Sequence, residues 1–213
     1  QCRDQRGFAV NRFFCPYTNE AVRVLDEGMG DPARIDLVAA EAVGAAAGPF
    51  MVMNIVKPRI NLHAIRNLAP LGRFYEPATS MVTRGEADEA WEIGDAPEPD
   101  PSVDQAIADR LLGGTFLPAL QEIDEGVATP DDIDLGARLA LKFGKPPCAE
   151  MDRLGALIEG WLAVTGTPDS TVEQFTDPVS ISSQPTLPAL SIAGDLGATV
   201  QDTLDQVGLN SLP

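Results

Sequence analysis

Apolar residues recur at helical intervals along the first part of the chain. Val10, Phe13, Phe14, Tyr17, Ala21, Val24 and Leu25 share one side of a helical period, and Arg12, Asn19 and Arg23 fall on another. The pattern predicts an amphipathic helix ended by Gly28, because glycine accepts the left-handed conformation of a helix C-terminus. Pro16 lies inside the pattern and predicts a bend, since it removes one backbone donor and crowds the preceding turn. A second apolar stripe, Ile35, Val38, Ala39, Ala42 and Val43, follows Asp31-Pro32, a capping side chain before a proline at the first helical position. Pro49 marks the next turn, and a short third helix is expected around Met53.

The same signals then return. Asn11-Arg12-Phe13-Phe14 is echoed by Asp109-Arg110-Leu111-Leu112, Asp26-Glu27-Gly28 by Asp124-Glu125-Gly126, and Pro32 by Pro130. Ile35-Asp36-Leu37 is echoed by Ile133-Asp134-Leu135, Pro49 by Pro147 and Met53 by Met151, always 98 positions later. One register held through helix, turn and helix predicts a duplicated helical unit. Thr129-Pro130 repeats the cap, with Asp132 where a capping box carries Glu. The expected fold is all-α, with two tandem helical repeats and a partly irregular tail.

The expected plan is a first helical domain over 1–95, a linker over 96–102, a second, degenerate repeat over 103–164 and a tail over 165–213. Residues 58–93 read as further helices and loops ending near Trp91. The linker rests on Ala96-Pro97-Glu98-Pro99-Asp100-Pro101, which is rigid and polar. After Thr165 the composition shifts to Thr, Ser, Pro, Asp and Gly, with one last amphipathic helix expected from Leu196 to Leu209. So small a unit cannot enclose its own core. The copies should therefore pack together and bury Ile35, Val38, Ala42 and Val43 with Ile133, Leu139 and Ala140.

Composition narrows the function classes. The 213 residues are 44% hydrophobic but only 6% aromatic, which suits closely packed helices. A formal charge of −17 disfavours nucleic acid and anionic membrane as partners. The charge is uneven: Lys57, Arg59, Arg66, Arg73 and Arg84 face one acid, Glu76, in the same stretch, and no Lys or Arg follows Arg153. This basic stretch suits a solvated or acid-paired face, with the phosphates of a ligand as the alternative. Cys2, Cys15 and Cys148 form neither a disulfide framework nor a zinc pattern, which points to a reducing, cytoplasmic setting. The most apolar stretch, Ala39 to Met53, contains Glu41 and is too short for a membrane span. With no initiator Met, the chain reads as a fragment or a processed product.

Several candidate chemistries fail on context. Gly28-Met29-Gly30-Asp31-Pro32-Ala33 spells a dinucleotide fingerprint, but it follows a helical pattern, and Pro32 lacks an amide that a phosphate would need. Asp131, Asp132 and Asp134 lack the glycine and terminal Glu of a calcium loop and read as first-turn helix acids. His63, the sole histidine, reads as a surface or packing residue. No metal-binding or cofactor-binding residue is assigned.

The segment Gly7-Phe8-Ala9-Val10-Asn11-Arg12-Phe13-Phe14-Cys15-Pro16-Tyr17-Thr18-Asn19-Glu20-Ala21 resembles the opening helix of the C-terminal domain of L-3-hydroxyacyl-CoA dehydrogenases. The likeness continues through Glu27-Gly28, Ile35-Asp36 and Gly48-Pro49-Phe50. Multifunctional fatty-acid oxidation enzymes carry two such domains, the second degenerate, which suits the repeat. The resemblance implies a whole enzyme that oxidises 3-hydroxyacyl-CoA with NAD. NAD and a catalytic His–Glu pair would be held by a dinucleotide-binding domain not present in this chain, and the chain alone would be inactive. It implies an acyl-CoA substrate and leaves room for a homo-oligomer. It maps an active-site amide onto Asn11, which donates, accepts and stays neutral, whereas Asp109 cannot donate when ionised. Gly48, Pro49, Phe50 and Met53 match the segment flanking the acyl chain. Read without the resemblance, Asn11 better suits the capping or polar start of a helix, and Phe50 and Met53 equally suit a core. The alternative function is a non-catalytic helical interaction or scaffold module derived from such a dehydrogenase.

Overall fold

The computed structural model describes residues 4–95 and 97–154, and the expectations for the tail and for Leu196 to Leu209 lie outside them. Eight α-helices and no strand occur among the described residues: α1 (Val10–Asp26), α2 (Pro32–Val43), α3 (Pro49–Val56), α4 (Pro58–Leu68), α5 (Thr79–Ala87), α6 (Pro101–Asp124), α7 (Pro130–Gly136) and α8 (Pro147–Leu154). Two 3-10 turns, Ala69–Leu71 and Arg73–Tyr75, join α4 to α5, and a π-helical turn, Ala137–Leu141, extends α7.

The 98-residue register survives in three dimensions. Adding 98 to the bounds of α3 gives those of α8, and adding it to α2 gives α7 with its π-helical turn. Gly28 and Gly126 both turn left-handed, with φ of +72° and +63°. The amides of Gly28 and Met29 return to the Leu25 and Val24 carbonyls, as those of Gly126 and Val127 return to Ile123 and Glu122. The Asp31 and Thr129 side chains accept from Arg34 N and Asp132 N, as capping residues before proline should. The most telling match is buried. Asp36 accepts from Phe50 N at 2.6 Å and Met51 N at 2.9 Å, and Asp134 accepts from Cys148 N at 2.8 Å and Ala149 N at 3.0 Å. Each carboxylate satisfies two of the amides that a helix N-terminus leaves open. Asp134 is thus a buried anchor for the next helix and not a first-turn acid, a place that Asp131 and Asp132 take.

The copies share one core. α1 packs most extensively on α6, and the buried cluster runs from Phe13 and Tyr17 through Ile35, Phe50 and Met53 to Ile107, Leu111, Phe116 and Ile133. Ile35, Val38, Val43 and Ile133 are buried as expected, and Ala42 is half-buried. Leu139 and Ala140 are not: Leu139 is 64% exposed and Ala140 faces solvent with it. The repeat register explains this, because Leu139 stands where the first copy has exposed Glu41. The buried counterpart of Ala39 is Ala137.

α1 departs from the simple amphipathic picture. Arg12 and Asn19 are buried at 1% and 0%, although the pattern put them on a polar face. Two layers cause this: α6 covers one side of α1, and α3, α4 and α5 cover others. The linker also ends earlier than expected, since α6 starts at Pro101 behind an Asp100 cap. Residues 97–100 are irregular, and the Arg34 guanidinium fastens them through the Glu98 carbonyl at 2.6 Å and the Asp104 carboxylate at 2.5 Å.

Candidate functional site

The first turn of α1 carries the strongest candidate. Gly7 and Phe8 both take positive φ, +83° and +50°, and turn the chain into the helix. Ala9 is the residue before the helix and offers no capping side chain. Asn11 follows in the first turn, exposed, and its side chain has no hydrogen-bond partner among the described residues. Its neighbours are fixed. Arg12 donates from both terminal nitrogens to Glu125, at 2.6 and 2.5 Å. Burial alone would lower the Arg12 pKa, but the bond to Glu125 and the nearby Tyr75 hydroxyl outweigh it, so the guanidinium stays charged.

The counterpart, Asp109, sits differently. α6 begins well upstream at Pro101, so Asp109 lies inside a helix and accepts from Gln105 Nε2 at 2.8 Å. Burial raises its pKa, and the Gln105 bond only partly opposes this. The two copies therefore present different geometry as well as different chemistry at this position.

The Gly48 to Met53 segment is held from behind. Gly48 presses on α2: a Cβ there would lie 2.3 Å from Asp36 Cα, so only glycine fits. Pro49 opens α3, and Phe50 and Met53 are fully buried. Phe50 meets Trp91 edge-on at 5.0 Å between centroids. The structure thus gives these four residues surfaces within the chain's own core, while Met51, Ile55 and Val56 of the same helix remain exposed.

Two asparagines that sequence reasoning passed over organise this repeat. Asn19 donates to the Glu76 carbonyl and accepts from Ala78 N, and Asn54 donates to the Trp91 carbonyl and accepts from Trp91 N. Each amide copies one rung of a strand pairing and pins a loop. Their counterparts are Leu117 and Asp152, so neither arrangement recurs in the second copy.

Between α1 and α6 lies a crossed pair of ion clusters. Arg12 of the first copy reaches Glu125 of the second, and Arg110 of the second reaches Glu27 of the first at 2.7 Å. Arg110 also holds buried Glu20. Nothing but the identical offset hinted at this in the sequence. Glu122, in the last turn of α6, is fully buried, and neither carboxylate oxygen finds a hydrogen-bond partner among the described residues. Burial pushes its pKa up to about 9 against the pull of Arg12, so it holds a proton at neutral pH.

The remaining candidates take ordinary places. Gly28 to Gly30 forms a helix-to-helix turn, which lacks the strand-to-helix geometry of a pyrophosphate cradle, so these residues do not fit NAD. Arg59 pairs with Asp88 at 3.4 Å and Arg66 with Glu86 at 2.6 Å, while Arg84 lies over the Trp91 ring. The basic stretch is therefore largely matched by nearby acids. His63 faces solvent, and Cys15 and Cys148 are buried and free. No helix among the described residues is long and apolar enough to cross a membrane.

Comparison with known proteins bears on this arrangement. Residues 7–90 match the family model for the 3-hydroxyacyl-CoA dehydrogenase C-terminal domain. The mitochondrial hydroxyacyl-coenzyme A dehydrogenase of Mus musculus is 31% identical over 83 residues, covering 38% of this chain and 26% of the relative. The Homo sapiens protein of that name is 36% identical over 55 residues, covering 26% of this chain and 18% of the relative. The peroxisomal fatty acid beta-oxidation multifunctional protein AIM1 of Arabidopsis thaliana is 27% identical over 172 residues, covering 64% of this chain and 24% of its own length. The chain thus spans about a quarter or less of the length of these curated relatives. No solved structure matches it significantly. Residues 7–90, which hold Asn11, the Gly48 to Met53 segment and both loop-pinning asparagines, are therefore similar to the C-terminal domain of 3-hydroxyacyl-CoA dehydrogenases.

Proposed function

We propose that this chain forms the substrate-side helical region of an NAD-dependent L-3-hydroxyacyl-CoA dehydrogenase. Such an enzyme oxidises 3-hydroxyacyl-CoA to 3-oxoacyl-CoA in fatty-acid β-oxidation. NAD and the catalytic base belong in this reading to a dinucleotide-binding domain outside these 213 residues. The observation that carries it is Asn11: a family-motif amide, exposed on a helix turn whose flanking residues are held, with no side-chain hydrogen-bond partner among the described residues. An amide so placed orients the substrate oxygen, or the imidazole that takes its proton, without competing for that proton.

α3 supplies the acyl-chain side. Gly48, Pro49, Phe50 and Met53 set its pose from behind, and exposed Met51, Ile55 and Val56 offer the apolar surface. The second repeat, with Asp109 in place of the amide, is catalytically silent. The free, buried thiols of Cys15 and Cys148 suit a reducing, cytoplasmic setting.

The test is a fusion. The dinucleotide-binding domain of a mitochondrial relative is joined upstream of Gln1, and NADH formation from 3-hydroxybutyryl-CoA is followed. The fusion should turn over, and the 213-residue chain alone should neither turn over nor bind NAD in calorimetry. Asn11→Ala should lower kcat by about 10²-fold, as removal of one preorganised donor does, and Asp109→Ala should leave kcat within about twofold. Turnover by the chain alone, or indifference of the active fusion to Asn11→Ala, rejects the proposal.

A further inference from the structure

The start of α1 is poorly held by its own sequence. Ala9 makes no side-chain cap, and no acid stands in the first turn to meet the helix dipole. Pro16 lies inside the helix and has no N–H for the carbonyl four residues earlier, that of Arg12. A helix turn lacking cap, counter-charge and one of its bonds frays unless tertiary contacts hold it.

Contacts from the second repeat bracket Asn11. At position 10, Val10 lies against Gly136 of α7, where an added Cβ would stand 2.9 Å from Val10 Cγ2. At position 12, the buried guanidinium of Arg12 is gripped at both ends by Glu125, just past α6. At position 14, Phe14 meets Phe143 edge-on at 6.4 Å between centroids. Glu125 holds Arg12 through two directed bonds, with the Tyr75 hydroxyl beside them, and a two-pronged bond fixes orientation as well as distance.

We propose that the second, degenerate repeat is a positioning clamp for the Asn11 turn, with Glu125 its positioning residue. The proposal rests on the catalytic reading of Asn11 only for its consequence. The clamp itself is a structural claim about residues 10–14. It gives the second copy a task that needs no active-site chemistry of its own, which explains how Asp109 is tolerated there. The crossed pair supplies an internal control: Glu27 grips Arg110 as Glu125 grips Arg12, across the same helix interface, but far from Asn11.

Two measurements test it. In the 213-residue chain, Glu125→Gln should speed exchange of the Phe14 and Cys15 amides, which close the first turn, by at least about tenfold, with Glu27→Gln leaving them near wild type. Both variants are compared at matched global stability from urea unfolding. In the fusion described above, Glu125→Gln should lower kcat at least about tenfold with KM within about twofold, the split expected when a transition-state contact is misaligned. Glu27→Gln should leave both near wild type. Gly136→Val, which pushes Val10 from the other side, should reproduce the kcat loss.

Unchanged exchange in Glu125→Gln, or equal exchange in the two glutamate variants, overturns the clamp whatever the fusion does. Faster exchange with unchanged kcat overturns its link to Asn11. A fusion without any activity counts against the catalytic reading instead, and the exchange result still decides the clamp.

Discussion

Arg110 of α6 reaches Glu20 in the middle of α1, and both side chains are withdrawn from solvent, at 1% and 0% exposure. The position equivalent to Glu20 in the second copy is Pro118, so Arg12 has no matching carboxylate there. The pseudo-symmetric interface is thus lopsided: Arg110 is held by Glu20 and Glu27, whereas Arg12 is held by Glu125 with Glu122 nearby.

The Arg110–Glu20 pair should matter to stability chiefly when it is broken. Glu20→Gln removes the buried counter-charge of the Arg110 guanidinium, and should cost about 3 kcal/mol in urea unfolding. Replacing both partners together, as Arg110→Met with Glu20→Leu, should cost less than either single change. A double variant less stable than either single variant would contradict this.

Glu122 should make the fold sensitive to alkali. The folded state keeps its proton up to about pH 9, while the unfolded chain releases it near the ordinary value of 4.5. Between these limits the native state binds more protons, so this residue's share of stability falls as pH rises through the window and levels off above it. Arg12, Tyr75, Glu125 and Cys148 are the charged or titratable groups facing it. Glu122→Gln mimics the protonated form, so unfolding free energies of the two proteins should agree near pH 4, below the ordinary carboxyl value, and diverge in favour of Gln towards pH 9. A constant difference across that range would show that Glu122 is ionised in the fold.

Asp36→Ala and Asp134→Ala should each destabilise by about 1–3 kcal/mol, since each orphans one buried and one part-buried helix-start amide. Each Asn variant keeps one acceptor and should lose less. Thermal unfolding of the four variants measures this, and a neutral Asp134→Ala would break the equivalence of the copies.

Two glycines should respond very differently to alanine. At Gly28 nothing stands within 4 Å of an added Cβ, but φ is +72°, so the cost should be about 1 kcal/mol. At Gly48 the Cβ would meet Asp36 backbone at 2.3 Å, so α2 and α3 must separate and the loss should be several-fold larger. Circular-dichroism melts of both variants decide the order.

The sequence by itself determined the helical class, the helix caps at Asp31 and Thr129, the stop at Gly28 and the duplication. These depend on local periodicity and on turn chemistry, which neighbouring residues specify. It also singled out Asn11 as a candidate through a motif. It misplaced Leu139, because burial within a stripe depends on which neighbour covers it, and the register with Glu41 is the better guide. Only the tertiary structure decided that Arg12 and Asn19 are interior, that Phe50 and Met53 face the core, and that Glu122 is enclosed. Arg12 meets Glu125 across 113 positions, and Asn19 meets Ala78 across 59. Polar residues at such separations become partners only when packed helices bring them together, and no local pattern records that meeting.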